Sequence, residues 1–119
     1  MKRVLLDENL DRRLKNYFSA ELDVTSVPDL GWQSKKNGEL LTAMDAAGIT
    51  HLLTADRNLQ FQQNFDKYTV VLVIVATHDT RLKNLAPHVS TIEAAVASAQ
   101  PTEKVILVDL RNEHDQSRR

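Results

Sequence analysis

The sequence contains no cysteine, only three glycines and three prolines, and few aromatic residues, which make up 5% of its 119 positions. Without cysteine there can be no disulfide, thiolate zinc site or cysteine nucleophile, so a metal would need oxygen or imidazole ligands. Hard divalent cations are therefore the expected metals. The chain also has no internal repeat and no low-complexity linker. These absences predict one compact domain.

Long hydrophobic runs and a strong net charge are also missing. The longest strongly apolar stretch, residues 70–76, is far shorter than the roughly 20 residues that a membrane span requires. The start, MKRVLLDENL, lacks the apolar stretch of a signal peptide. We therefore expect a cytoplasmic protein with no membrane partner. The formal net charge of −1 means that a nucleic-acid partner would be held by local basic patches.

Several catalytic motifs are absent as well. The chain has no GxGxxG, no GxxxxGK[ST] and no GxSxG sequence, so a glycine-rich nucleotide loop and a serine nucleophile elbow have no support. The histidines are dispersed without the spacing of metal ligands. Only His78 follows a predicted strand closely enough to reach an active edge.

The hydrophobic pattern alternates between strands and helices. Strands are predicted at residues 3–7, 22–27, 51–56, 70–76 and 105–110, most of them apolar without alternation, as expected when both faces of a parallel sheet are covered. Helices are predicted at residues 10–18 after an Asn9 cap, from an Asn37 cap to Gly48, briefly at 58–63, and from Pro87 to just before Pro101. This order indicates a three-layer α/β/α domain over residues 1–110, with a mostly parallel sheet of about five strands. Residues 111–119 form a polar tail that is expected to fray.

Acidic side chains fall where ligands bind in such sheets, beyond the carboxyl ends of the strands. Asp7 ends the first predicted strand, Asp56 ends the third, and Glu39 lies near the start of the helix that enters the third. If strands one and three are neighbours, both aspartates lie within reach of one ion. Carboxylates forced together raise each other's pKa unless a cation neutralises them, and a hard divalent ion does so.

A second interpretation of the same residues stays open. Asp7 or Asn9 could simply cap the following helix, and Glu39 could be a first-turn acid favoured by the helix dipole. Trp32 could pack in the core or provide a stacking platform for a base. The conjunction of the acids is more informative than each member, because an acid followed by an amide two residues later occurs after both strands.

Basic residues surround these acids. Arg12 and Arg13 follow the first strand, Lys36 precedes Glu39, and Arg57 follows Asp56. A rim of cations around an acidic centre suits phosphodiester chemistry, because the rim holds backbone phosphates while a metal activates water. These four residues are the predicted nucleic-acid contacts, and a mixed solvent-exposed surface is the alternative.

The motifs LLDENLDRRL, VPDLGW, NGELLTAMDAAG, HLLTADRN and RLKNLAPHVSTIEAA together resemble the PIN-like domain family, DUF5615 type, of bacterial toxin-antitoxin-like gene pairs. The resemblance covers roughly residues 3–110. It implies a PIN-like three-layer fold, a carboxylate site for Mg²⁺ or Mn²⁺, and endoribonuclease activity of a toxin that acts on RNA and is silenced by a cognate antitoxin. Self-association into a homo-oligomer is a further implication of the resemblance.

Carried over residue by residue, the resemblance makes Asp7, Glu39 and Asp56 the catalytic and metal-binding residues. The supporting residues are Glu8, Asn9, Asn37 and Asn58. Many relatives have aspartate where this chain has Asn37 and Asn58, and Glu39 is a substitute for the first of these. Fewer anionic ligands hold a divalent ion less tightly, so a weaker or single-metal site is expected.

Two other functions remain open on the sequence. The first is a catalytically weak or silent PIN-like binding module, whose acidic groove docks a protein partner. The second is a receiver-like phosphoacceptor domain with Asp56 as the phosphorylated residue. A receiver would also need a lysine after the fifth strand, where this chain has only Arg111.

Overall fold

Five parallel strands form one sheet in the computed structural model, which describes residues 2–99 and 102–111. The strands are β1 Lys2–Leu6, β2 Leu22–Ser26, β3 His51–Thr54, β4 Val71–Ala76 and β5 Val105–Asp109. Their order across the sheet is β2-β1-β3-β4-β5, and every neighbouring pair is parallel. The predicted sheet of about five strands is therefore confirmed, and it is wholly parallel.

Helices cover both faces of the sheet. On one face, α2 (Asn37–Ala47) packs Leu40, Leu41 and Met44 against the strands, and on the other face α5 (Val89–Ser98) packs Ile92 and Val96. Shorter helices, α1 (Val27–Leu30), α3 (Leu59–Gln62) and α4 (Leu82–Leu85), lie in the connections. The central strands are buried on both faces, which explains why they lack polar alternation in the sequence. This arrangement confirms the three-layer α/β architecture.

Two glycines end helices in the left-handed conformation. Gly48 ends α2 with φ of 72°, as its position in the sequence predicted, and Gly31 ends α1 with φ of 69°. A side chain at these positions would be strained, because the left-handed region disfavours a Cβ atom. The segment around Pro28 forms the four-residue helix α1.

The region after β1 differs most from the prediction. Residues 10–18 do not form an α-helix: a 3₁₀ helix spans Arg12–Tyr17, and its N-cap is Asp11, not Asn9. The side chain of Asn9 cannot cap a helix because it bonds to the end of β3. At α2 the N-cap is Lys36, and Asn37 is the first helical residue.

Other elements begin or end a few residues from their predicted positions. Strand β2 ends at Ser26 and not at residue 27, and β3 ends at Thr54 and not at residue 56. Helix α4 and the 3₁₀ helices Phe65–Lys67 and Ala86–His88 were not predicted. Residues 112–119 of the predicted polar tail lie outside the described residues. Within the described ranges, no helix has both the length and the apolar character needed to cross a bilayer.

His51 is a buried polar residue at the start of β3. The residue is only 5% exposed, and its ring Nδ1 atom lies 2.7 Å from the Thr50 hydroxyl oxygen. Burial, assisted by the nearby Lys2 ammonium, lowers the pKa of the imidazole to about 4. The folded chain therefore holds this ring in its neutral form.

We expect the free energy of unfolding to fall as the pH drops from about 6.5 to about 4. In this window the unfolded chain binds a proton at His51 that the folded chain does not bind, whereas above it the ring is neutral in both states. The loss should be on the order of 1–3 kcal/mol. Urea denaturation at pH 7 and at pH 4.5 measures this loss of stability. The free energy of unfolding of the His51→Gln variant should fall less over the same interval. An equal loss in both proteins would contradict this origin.

Candidate functional site

Asp7 and Asp56, two of the predicted acids, follow adjacent strands of the sheet. Strand β1 pairs with β3, with Leu6 opposite Leu53, and the Asp7 N–H donates to the Leu53 carbonyl at 2.9 Å. The chain passes from β1 outward to β2 and then returns to β3 on the other side, so the connections diverge between β1 and β3. Such a topological switch point opens a crevice at the carboxyl ends of the strands, where ligands bind. Asp7 and Asp56 follow the two strands that border this crevice.

The Thr54 hydroxyl forms hydrogen bonds with both aspartates, with the side chain of Asp7 and with the main chain of Asp56. Its side chain is fully buried, and its hydroxyl donates to Asp7 Oδ2 at 2.8 Å while it accepts from Asn9 Nδ2 at 3.0 Å and from the Asp56 N–H at 3.1 Å. A hydroxyl offers one donor and two acceptor positions, so all of its capacity is used. The Asn9 carbonyl oxygen in turn accepts the Ala55 N–H at 3.1 Å. This saturated network fixes the positions of Asp7, Asn9 and Asp56 relative to one another.

The two carboxylates receive further hydrogen bonds from the main chain. Asp7 Oδ1 accepts the Glu8 N–H at 2.8 Å, and Asp56 Oδ1 accepts the Asn58 N–H at 2.9 Å. Both aspartates are partly exposed. In the part of the chain that the structure describes, neither of them forms an ion pair. Their negative charge therefore remains available to a ligand.

Other aspartates near the same edge are neutralised by an arginine two residues later. We call these the Asp-x-Arg pairs: Asp11 with Arg13, Asp79 with Arg81, and Asp109 with Arg111. In each pair the carboxylate accepts the arginine backbone N–H and the guanidinium N–H groups. The hydrogen bonds from the arginine side chain, followed by those from its backbone, lower the pKa of each carboxyl to about 2.

Asp56 makes the same turn without the arginine. The Asn58 N–H occupies the place of the arginine N–H, but the Asn58 side chain brings no positive charge. Asn58 thus leaves Asp56 without the ion pair that the Asp-x-Arg aspartates form within the described residues. A carboxylate of this kind is a better cation ligand than its neighbours in the Asp-x-Arg pairs, because no guanidinium competes with the ion.

Glu39 lies apart from this network. Its carboxylate accepts the Lys36 N–H at 3.2 Å, at the start of α2. The neighbouring Asn37 side chain donates to Gln62 of α3 at 3.4 Å. The structure therefore joins Asp7 and Asp56 through Thr54 and gives Glu39 a helix-capping contact instead.

The donor set at the switch point fits a hard cation with few protein ligands. No group of three or more His, Cys, Asp or Glu side chains that could hold a metal occurs within residues 2–99 and 102–111. Mg²⁺ needs only one or two protein carboxylates, because it keeps several of its waters. Asp7 and Asp56 supply two carboxylates with oxygens that no protein cation occupies. They match this mode of binding, whereas a cage built only of protein ligands is absent from the described ranges.

The predicted basic residues divide into two groups. Arg13 belongs to an Asp-x-Arg pair, and Arg12 lies 3.8 Å from the carboxylate of Asp29. Lys36 and Arg57 are exposed and form no ion pair within the described residues. The Arg57 charge also makes a small contribution to lowering the pKa of Asp109, at the end of β5.

His78 and Trp32 are the remaining candidates from the sequence. His78 is exposed just beyond β4, at the edge where the sequence placed it. Trp32 is partly buried and packs against the core on the α2 side of the sheet, with the Lys35 ammonium 5.9 Å from its ring centre. Packing in the core is therefore the role of Trp32 that the contacts support.

Thr54 is the residue that sequence reasoning missed. Its signal was present as the Thr-x-Asp motif that directly follows Leu52 and Leu53. A buried threonine at the last position of a central strand needs hydrogen-bond partners, because an unpaired hydroxyl in the core is costly. That requirement would have pointed to polar partners at the end of the neighbouring strand.

Comparisons of the chain with protein-family models, with curated proteins and with solved structures find no match. The fold and the site define a wholly parallel α/β protein with a carboxylate pair at its β1/β3 switch point.

Proposed function

We propose that the chain is a metal-dependent ribonuclease, the toxin component of a PIN-like toxin-antitoxin pair, which hydrolyses RNA phosphodiester bonds at Asp7 and Asp56. One observation carries the proposal: the buried Thr54 hydroxyl holds both aspartates at the switch point, and no protein cation neutralises them within the described residues. A cation bound to both carboxylates would offset their negative charge.

The residues of the site have separate roles in this proposal. Asp7 and Asp56 would hold Mg²⁺ or Mn²⁺, with Thr54 and Asn9 fixing their positions. When bound, the ion lowers the pKa of water and offsets negative charge on the phosphate. Lys36 and Arg57, which are exposed near the same edge, would hold backbone phosphates of the RNA. Asn58 supports Asp56 through its N–H group.

The test of this function is expression of the chain alone and assay of the purified protein. We expect growth arrest that is relieved by co-expression of the antitoxin, and RNA cleavage in Mn²⁺ that EDTA abolishes. Absence of cleavage in Mg²⁺ and in Mn²⁺, by a chain that remains folded, would contradict the proposal.

We expect Glu39→Gln to leave Mn²⁺ affinity within about twofold of the wild type. The glutamine side-chain oxygen can accept the same Lys36 N–H as the glutamate does, so α2 should start at the same residue. The carboxylate of Glu39 already bonds to its own helix start, and its loss removes no ligand of the Asp7–Asp56 pair. Calorimetric titration with Mn²⁺ measures the affinity. A drop of tenfold or more would assign Glu39 to the ion, as the sequence predicted.

A receiver-like phosphoacceptor is the second candidate, because the strand order 2-1-3-4-5 is also the order of receiver domains. Asp56 follows β3 and Thr77 follows β4, as a receiver requires. Against it, the only basic residue after β5 in the described chain is Arg111, which is bound to Asp109. Incubation with acetyl phosphate and mass spectrometry of the intact chain should show no phosphoaspartate. A stable adduct at Asp56 would favour the receiver.

A further inference from the structure

The guanidinium of Arg13 is held in a fixed orientation by the carboxylate of Asp11. The Nε–H group donates to Asp11 Oδ1 at 3.0 Å, and Nη2 donates to Asp11 Oδ2 at 2.7 Å. The Arg13 backbone N–H also donates to Asp11 Oδ1, at 2.9 Å. These contacts occupy the side of the guanidinium that Nε and Nη2 form, and they restrict the rotation of a long, flexible side chain.

The end of the same guanidinium is open to a ligand. A guanidinium carries five N–H donors in one plane, and Nη1 donates to no group within the part of the chain that the structure describes. The Arg13 side chain is 68% exposed. One N–H of Nη1 and the second N–H of Nη2 therefore point away from Asp11 and offer two parallel hydrogen bonds.

The position of Arg13 relative to the carboxylate pair is also fixed. Arg13 belongs to the same connection as Asp7, between β1 and β2. Within this connection, Asn9 bonds to the end of β3, and Leu10 and Leu14 are buried in the core. A residue between such anchors cannot move far without breaking them, so Arg13 stays on the β1 side of the crevice.

The other arginines of the Asp-x-Arg pairs lie farther from the crevice. Arg81 follows β4 and Arg111 follows β5, and both strands lie beyond β3 in the order of the sheet. Of the three arginines, Arg13 follows a strand that borders the β1/β3 crevice. Arg81 has the same contacts with its aspartate and therefore provides a matched control.

An unpaired guanine matches the two donors of Arg13 better than a phosphate does. The Asp11–Arg13 pair carries no net charge, so it attracts a phosphate weakly, whereas the direction of its two N–H groups is kept. Guanine presents O6 and N7 as neighbouring acceptors in one plane, and arginine binds them through two hydrogen bonds. Adenine presents a donor beside N7, and uracil presents O4 without a second acceptor on that edge. In single-stranded RNA this edge of a base is accessible.

We propose that Arg13, oriented by Asp11, binds O6 and N7 of an unpaired guanine in the RNA, beside the carboxylate pair. This role rests on the proposed ribonuclease function and names its substrate class, single-stranded RNA with a guanine near the cleaved bond. Lys36 and Arg57 hold the phosphates, which every nucleotide has, and Arg13 supplies the discrimination among bases.

Fluorescence anisotropy with three labelled single-stranded RNAs tests this recognition. The first RNA has one guanosine among uridines, the second has 7-deazaguanosine at that position, and the third has uridine only. The wild-type chain should bind the guanosine RNA at least about fivefold more tightly than the uridine RNA, because a bidentate contact discriminates by this much or more. 7-Deazaguanosine lacks the N7 acceptor and should lose most of this advantage. The titrations contain EDTA, so binding is measured without a metal and without cleavage.

Three variants separate the direction of the donors from their charge. Arg13→Lys keeps the charge but not the two parallel donors, so it should bind all three RNAs within about twofold of one another. Asp11→Asn keeps an N-cap and removes a negative charge, so it should bind the uridine RNA at least as tightly as the wild type while its preference for guanosine falls. Arg81→Lys should keep the wild-type preference. Circular dichroism confirms that each variant is folded.

A wild type that shows no preference for the guanosine RNA, or that binds none of the three RNAs, would overturn the proposal. So would a preference that Arg13→Lys retains or that Arg81→Lys loses. Cleavage without a preference for guanosine contradicts the role of Arg13 alone. A chain that prefers guanosine but cleaves no RNA in Mg²⁺ or Mn²⁺ contradicts the ribonuclease function alone.

Discussion

Replacing Asp56 by Asn is expected to reduce the proposed RNA cleavage by at least about 100-fold in kcat/KM, because one of the two carboxylates proposed to hold the ion loses its charge. The change keeps the size of the side chain, and its oxygen can still accept the Asn58 N–H. Stability should therefore change little. Asp7→Asn should have a comparable effect, since Asp7 is the other carboxylate of the pair. The measurement is cleavage of a fluorescent RNA in Mn²⁺.

Asp79→Asn is the matched control. It removes the same charge near the same edge of the sheet, but the Asp79 carboxylate is already neutralised by Arg81. Cleavage by this variant should stay within about twofold of the wild type. If Asp79→Asn and Asp56→Asn reduced cleavage equally, the loss would reflect the general charge of the edge and not a specific site.

Thr54→Val is expected to destabilise the fold by roughly 2–4 kcal/mol. Valine has nearly the shape of threonine, so the loss comes from the hydroxyl and not from a cavity. Without it, the Asn9 amide and the Asp56 N–H lose their acceptor, and Asp7 Oδ2 loses its donor. Urea denaturation at pH 7 measures this change in the free energy of unfolding.

Thr54→Ser separates the hydroxyl from the methyl group. Serine keeps all three hydrogen bonds and loses only one buried methyl group, which costs about 1 kcal/mol. Mn²⁺ affinity should stay near that of the wild type in the serine variant and fall at least about tenfold in the valine variant, measured where both are folded. A valine variant that matches the serine variant in both stability and affinity would remove Thr54 from the site.

The sheet and the two long helices could be predicted because their signals are local. Residues 70–76 form an uninterrupted apolar run, and the stripe that includes Leu40, Leu41 and Met44 ends at a glycine, so each element is specified by its own sequence. The proximity of Asp7 and Asp56 also followed from topology, since only the adjacency of β1 and β3 was needed.

What the sequence could not provide depends on contacts between distant residues. Asn9 is a good helix cap in isolation, but 45 positions along the chain Thr54 offers its hydroxyl, and this tertiary contact takes the Asn9 side chain. The helix then starts two residues later at Asp11 and is a 3₁₀ helix. In the same way, the pattern of acids suggested one cluster, whereas Glu39 bonds to its own helix start.

The interpretation of Asn58 differs most between the sequence and the structure. In the sequence it appeared only as the loss of an anionic ligand. In the structure it is the position where the Asp-x-Arg pairs carry arginine, so asparagine leaves Asp56 without a competing guanidinium. Asn58 thus leaves the charge of Asp56 available to the proposed ion.

The most direct test of the central claim is calorimetric titration of the purified chain with Mn²⁺. If Asp7 and Asp56 share one ion, the wild type should bind a single Mn²⁺, and both Asp7→Asn and Asp56→Asn should bind at least about tenfold more weakly, whereas Asp79→Asn should bind as the wild type does. A wild type that takes up no Mn²⁺, or Asp7 and Asp56 variants that bind it unchanged, would contradict the claim and favour a binding module without a metal.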